Sequence, residues 1–95
     1  MAQPFSEDFT AWGFSFSKQF FSTAGDEIPL HMHNTDHLDI VLQGEFYITS
    51  DKSPPAIVNQ GSQAVLFRAG GMHSIQARTD GALILRIEKM PNTVR

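Results

Sequence analysis

Gly25-Asp-Glu-Ile-Pro-Leu-His31-Met-His33-Asn-Thr-Asp-His37-Leu-Asp-Ile-Val-Leu-Gln-Gly44 carries three of the chain's four histidines. Its reading decides between helix and strand. Leu30 to Gln43 is one of two runs of ten or more residues without Gly or Pro; the other is Phe14 to Ala24. A helical domain needs several such runs, since globular helices average roughly 11–12 residues. Neither run reads as a helix. The first half of Leu30 to Gln43 is polar, and its second half contains the β-type triplet Ile40-Val-Leu. Phe14-Ser-Phe-Ser-Lys alternates apolar and polar residues at period two, as a half-buried strand does.

Outward from this stretch the pattern is short strand, then turn. Glu45 to Ser50 reads as a strand. Asp51-Lys-Ser-Pro-Pro reads as a loop, because consecutive prolines cannot donate to a ladder. Ala56 to Asn59 is extended, Gln60-Gly-Ser a turn, and Gln63 to Phe67 a strand. Ala69-Gly-Gly-Met is a tight turn before a strand over His73 to Ala77. Thr79-Asp-Gly turns into a last strand, Ala82 to Lys89. Eight or nine short strands at this spacing predict an all-β sandwich or barrel.

The chain has 95 residues, enough for one domain spanning 1–95, with an N-terminal strand region over 1–21 and a barrel core over about 22–89. Seven Lys and Arg against ten Asp and Glu give a net charge of −3, which argues against a nucleic-acid partner. With no cysteine, disulfides, thiolate catalysis and Cys-based metal sites are excluded, so any metal is held by His, Asp or Glu. No apolar run exceeds four residues, so no membrane partner is expected. The first basic residue is Lys18, which leaves no charged signal-peptide start and makes a cytoplasmic location the expectation. A domain of this size buries a modest share of its surface, so oligomerisation or a bound metal would help it.

On a strand, His31 and His33 point to the same face, about 6.6 Å apart along the backbone. Asn34-Thr-Asp36 reads as a turn that returns His37 beside His33. Three imidazoles on one inner face form a facial metal site.

The quoted stretch resembles the first cupin motif: Gly, five residues, His-x-His, three or four residues, Glu, six residues, Gly. Every spacing fits, and His37 stands where the family usually has Glu. Gly61 to His73 resembles the second cupin motif with its Gly-x-x-His core at Gly70 to His73. It is one residue longer after Gly61, with Arg68 at the proline position and Ala77 at the asparagine position. The resemblance covers roughly residues 20 to 88. It implies a small antiparallel jelly-roll barrel with one divalent transition-metal ion (Fe, Mn, Zn, Ni, Co or Cu) inside one mouth. Its ligands would be His31, His33, His37 and His73. A dication on four neutral imidazoles keeps its full charge and attracts an anionic small molecule.

If His37 points inward, alternation turns Asp39 and Val41 inward too. Asp39 then orients a ligand imidazole, serves as a general base, or reaches water at a strand end. Either Phe46 and Ile48 or Tyr47 and Thr49 face inward. Phe67 and Met72 flank the His73 turn. Ile84, Arg86 and Glu88 share one face of the last strand. Phe46, Phe67, Met72 and Arg86 are therefore the candidate pocket residues, with Arg86 a candidate bidentate partner for a substrate carboxylate. Phe14, Phe16 and Phe20 share a strand face beside Trp12. With eight Phe in the chain, Phe5 to Phe21 is a candidate homodimer surface. Three functions stay open: an oxygen-using metal-dependent enzyme (dioxygenase-type cleavage of a chelating carbonyl compound first), a non-redox isomerase, lyase or cyclase with Asp39 or Glu88 as base, and a non-catalytic ligand or metal sensor.

Overall fold

The structure is a computed structural model that describes residues 2–51, 53–62 and 64–90. Among these, nine strands follow in order: β1 (Phe5–Ala11), β2 (Phe14–Phe21), β3 (Glu27–Met32), β4 (His37–Gln43), β5 (Glu45–Ser50), β6 (Ala56–Asn59), β7 (Val65–Phe67), β8 (Met72–Ala77) and β9 (Ala82–Lys89). The described residues form no helix, and none is long and apolar enough to cross a membrane. The strand expected over Gln63 to Phe67 begins at Val65 (Gln63 lies outside the described residues). The strand expected from His73 begins one residue earlier, because Met72 pairs with Met32.

The strands form a five-stranded sheet in the order β1-β2-β9-β4-β7 and a four-stranded sheet in the order β3-β8-β5-β6. All pairings are antiparallel. The crossovers from β2 to β9 and from β3 to β8 wrap the chain into a small jelly roll. β1 and β2 form a hairpin whose tip, Trp12-Gly13, has φ of 52° and 78°. Two positive φ values make the type I′ geometry that suits a two-residue hairpin, although Trp carries a Cβ penalty there. Gly44, at φ +82°, turns β4 into β5. A Cβ at Gly44 would stand 2.5 Å from Thr79 Oγ1 and 3.1 Å from Ala82 Cα.

Register explains the core. On the inner face of the larger sheet, Gln19 faces Ile84, and Ile84 faces Val41. On the smaller sheet, Ile28, Ile75 and Ile48 form one row, with Ala77 and Phe46 beside it. Phe21 from β2 meets Phe46 edge-on at 4.9 Å, so β2 closes the apolar end of the barrel. Phe46 and Ile48, rather than Tyr47 and Thr49, are the buried pair of β5. The opposite end of the same faces is polar, and it holds the histidines.

Candidate metal centre

The inner rows change character toward this end. In the larger sheet one row runs Ser17, Arg86, Asp39, Val65 and the next Ser15, Glu88, His37, Phe67. In the smaller sheet the facing row is His31, His73, Ser50. His33 lies one residue beyond β3, and its ring still turns back toward the site. All four imidazoles meet here, with ring centroids 4.2 Å apart for His33 and His37, 4.4 Å for His31 and His73, and 5.0 Å for His37 and His73. Phe67 stacks on His73 at 4.1 Å and forms one apolar wall.

The donor atoms group into two overlapping triads, His31–His33–His73 and His33–His37–Glu88, each within 4.8 Å. His33 belongs to both. The Nε2 atoms of His31 and His33 are 2.9 Å apart. Two nitrogens bound at about 2.0–2.1 Å to one ion, with their bonds at right angles, are about 2.9 Å apart. His31 Nδ1 donates to the Pro29 carbonyl at 2.7 Å, which leaves Nε2 as the lone-pair nitrogen.

Burial supplies the test of fit. His37 and His73 are both 2% exposed. His37 Nδ1 and Nε2 and His73 Nε2 are buried without a hydrogen-bond partner. Buried polar atoms are otherwise almost always paired, so one nitrogen of each ring, the one that carries the lone pair, fits a group that accepts it. Burial, then Arg86 and the neighbouring imidazoles, lowers His37 to about 3. Burial, then His31 and Arg86, lowers His73 to about 4. His33 is lowered by burial and Arg86, against the opposing pull of Glu88. Neutral imidazoles are the form that binds a metal.

Arg86 does not offer its fork to a ligand. Nε and Nη2 donate to the two Asp39 oxygens at 3.1 and 3.3 Å, and Nη1 lies 3.4 Å from His33 Nε2. Asp39, 1% exposed, is thus the partner of Arg86, and its Oδ1 is 4.0 Å from His37 Nε2, beyond hydrogen-bond reach. Burial pushes the Asp39 carboxyl up and Arg86 pulls it down. Met72 lies on the face of β8 opposite His73, because neighbours on a strand alternate, so it does not line the site. Phe46 faces inward but sits two rows deeper, against Phe21. Phe67 lines the cavity beside His73, on which its ring stacks.

Glu88 holds the position nearest the imidazoles among the carboxylates of this end. It is the cross-strand partner of His37, accepts a hydrogen bond from Thr35 Oγ1 at 2.7 Å, and lies 3.7 Å from His33 Nδ1. Thr35 carried no signal in the sequence, since its partner is 53 residues away. A cavity of about 140 Å³ adjoins the cluster, with Ile48, Val58, Val65 and Phe67 along its apolar side and Arg68 and His73 among its polar lining.

No family model matches the chain, and no curated protein matches it in sequence. Solved structures do match. A cupin superfamily protein from Desulfitobacterium hafniense aligns with a TM-score of 0.79 at 21% identity, over 94% of this chain and 79% of that one. KdgF from Halomonas sp. aligns at 0.79 and 16% identity, over 92% of this chain and 78% of that one. Oxalate decarboxylase from Bacillus subtilis, a protein with Mn(II) centres, aligns at 0.78 and 19% identity. That match covers 98% of this chain but 27% of the decarboxylase. The architecture is therefore that of a small β-barrel jelly roll. The chain shares the fold of these cupins.

Proposed function

We propose that the chain binds one divalent transition-metal ion through His31, His33, His37 and His73 and acts as a metal-dependent enzyme on a small molecule. Oxygen-dependent cleavage of a chelating carbonyl compound is the favoured reaction. The observation that carries this reading is the set of buried, unpartnered nitrogens on His37 and His73 beside the His31–His33 pair. The Mn(II) centres of the similarly folded oxalate decarboxylase support it. When bound, the ion supplies Lewis-acid or redox chemistry that imidazoles cannot.

The chain's own residues do the rest. Phe67 and Val65 exclude water from the adjoining cavity and hold an apolar substrate body. Arg68, which lines the cavity and pairs with Asp36 at 3.3 Å, is the cation on that lining that an anionic end of the substrate would meet. The Asp39–Arg86 pair fixes the floor beneath the imidazoles. In dioxygenase-type cleavage both atoms of O2 enter the products, so no outside reductant is required. A second reading, a non-redox isomerase or lyase, is favoured by one observation: Glu88 stands beside His33 and His37, anchored by Thr35, where a carboxylate can accept a proton.

Elemental analysis of untagged protein, followed by oxygen-electrode assays of iron- and manganese-loaded protein with β-diketones, catechols and flavonols, tests both readings. Stoichiometric metal with oxygen uptake supports the first. No uptake, but proton exchange into a bound sugar acid that is lost in Glu88→Gln, supports the second. Wild-type protein that holds no metal, or His73→Ala protein that holds a full equivalent, overturns the site.

A further inference from the structure

The two sheets part along one side, where β6 edges the smaller sheet and β7 the larger, with no ladder between them. The cavity beside the histidines lies in this seam. The register sets its depth. Phe67 is opposite His37 and Ser50 opposite His73, so these lining residues stand at the level of the imidazoles. Val65 and Ile48 lie two residues further along the same strands, opposite Asp39 and Ala56. Val58 is deeper still, opposite Phe46. The cavity is therefore polar where it meets the histidines and apolar below. Among the described residues its lining holds no carboxylate, and its one full cation is Arg68.

The Arg68 side chain is 73% exposed and rests on Asp36, with Nη1 3.3 Å from Oδ2. Asp36 Oδ1 also accepts the Ala69 amide at 2.7 Å, so this carboxylate stays partnered when the guanidinium leaves it. An exposed ion pair contributes little to stability, so exchange of one carboxylate for another costs little. Arg68 stands where the motif it resembles has proline, a residue with neither charge nor donor.

We infer that the cavity takes a short aliphatic oxo acid, with its carboxylate on Arg68 in place of Asp36 and its alkyl tail against Ile48, Val58 and Val65. This names the substrate class of the site proposed above. The oxo group rests on that reading, since it needs an ion at His73; the acid pocket does not. Size limits the tail. An apolar cavity of about 150 Å³ holds one benzene. At about 140 Å³ this one takes a body of about six non-hydrogen atoms, with the charged head at the mouth.

The turn before β8 decides the anion. The Ala69 amide donates to Asp36, the Gly70 amide to the His33 carbonyl at 2.9 Å and the Gly71 amide to the Arg68 carbonyl at 3.3 Å. These three donors are taken, so the third oxygen and second charge of a phosphate monoester find no partner among them. A guanidinium offers two parallel donors, which match the two oxygens of one carboxylate.

Isothermal titration of the chain, before and after removal of metal by a chelator, is the test. In metal-free protein 4-methylpentanoate should bind about tenfold more tightly than 4-methylpentanamide, which has the same shape without the charge. Arg68→Met should erase that difference and Arg68→Lys should keep part of it. The site is exposed, so both variants should keep the wild-type circular dichroism. Asp36→Asn removes the competing charge and should tighten the acid. Affinity should rise from acetate to 4-methylpentanoate and fall again at decanoate. In metal-loaded protein 4-methyl-2-oxopentanoate should gain about tenfold over 4-methylpentanoate. Equal binding of acid and amide by metal-free wild type overturns the inference, whether or not the protein as purified holds metal. So does an acid preference that survives in Arg68→Met, or tighter binding of isopentyl phosphate than of the acid. Arg68-dependent acid binding by a protein that never holds metal upholds the pocket and overturns the metal reading, with the oxo group, instead.

Discussion

Arg86 and Asp39, cross-strand neighbours on β9 and β4, meet as a two-point ion pair beneath the histidine cluster, with N–O distances of 3.1 and 3.3 Å. Both side chains are nearly sealed from water. Each charge is matched by the other, and only Nη1 of the guanidinium is turned to the histidines, 3.4 Å from His33 Nε2.

Loss of one partner therefore leaves a buried charge alone. Arg86→Ala should destabilise the fold by roughly 3–5 kcal/mol, read from urea unfolding. The double variant Arg86→Met with Asp39→Leu should recover most of that loss, because a buried ion pair contributes little net stability over an apolar pair of similar volume. A single variant within 1 kcal/mol of wild type would contradict the pairing.

The buried imidazoles set an acid limit on the metal-free protein. In the unfolded chain both titrate near the ordinary 6.5; in the folded chain His73 waits until about 4 and His37 until about 3. Between those values the unfolded state binds more protons, so stability falls as pH drops from about 6.5 and the loss levels off below about 3. Urea midpoints at stepped pH should show this slope, and His37→Gln should flatten it. Saturating zinc should move the onset to lower pH.

Glu88→Gln keeps the side chain's volume and removes its charge beside His33 Nδ1. Groups that orient a ligating imidazole typically contribute 10–100-fold to metal affinity. Chelator competition should show a loss in that range for Glu88→Gln. A smaller loss in the same direction is expected for Thr35→Val, whose hydroxyl holds Glu88 at 2.7 Å.

Gly44→Ala should cost more than about 1 kcal/mol, because L-residues pay at positive φ and the added methyl meets Thr79 and the Ala82 backbone. Differential scanning calorimetry reads the drop. Gly13→Ala is also at positive φ, but a Cβ there meets nothing within 4 Å, so it should cost less.

Removal of residues 1–21 should abolish cooperative folding. β2 pairs with β9 along eight residues, and Phe21 closes the core against Phe46. A soluble truncation with a sharp thermal transition would show β2 to be dispensable.

The sequence by itself determined the all-β class, the strand at Ala82 to Lys89, the turn before His73 and the inward side of β4. These depend on local rules: period-two alternation, Gly and Pro punctuation, and the spacing of His31, His33 and His37. The environment of each polar side chain was decided only by tertiary structure. Arg86 read as a ligand fork until the register set it opposite Asp39, 47 residues away. Met72 and Phe46 read as pocket residues until strand phase and depth placed one outside and one below the site. Thr35, Glu88 and the cavity beside Phe67 come together through pairings that no local pattern encodes. Alternation fixes which face a residue takes, but the residue across the strand is chosen by register between distant segments, and register follows from burial of the whole.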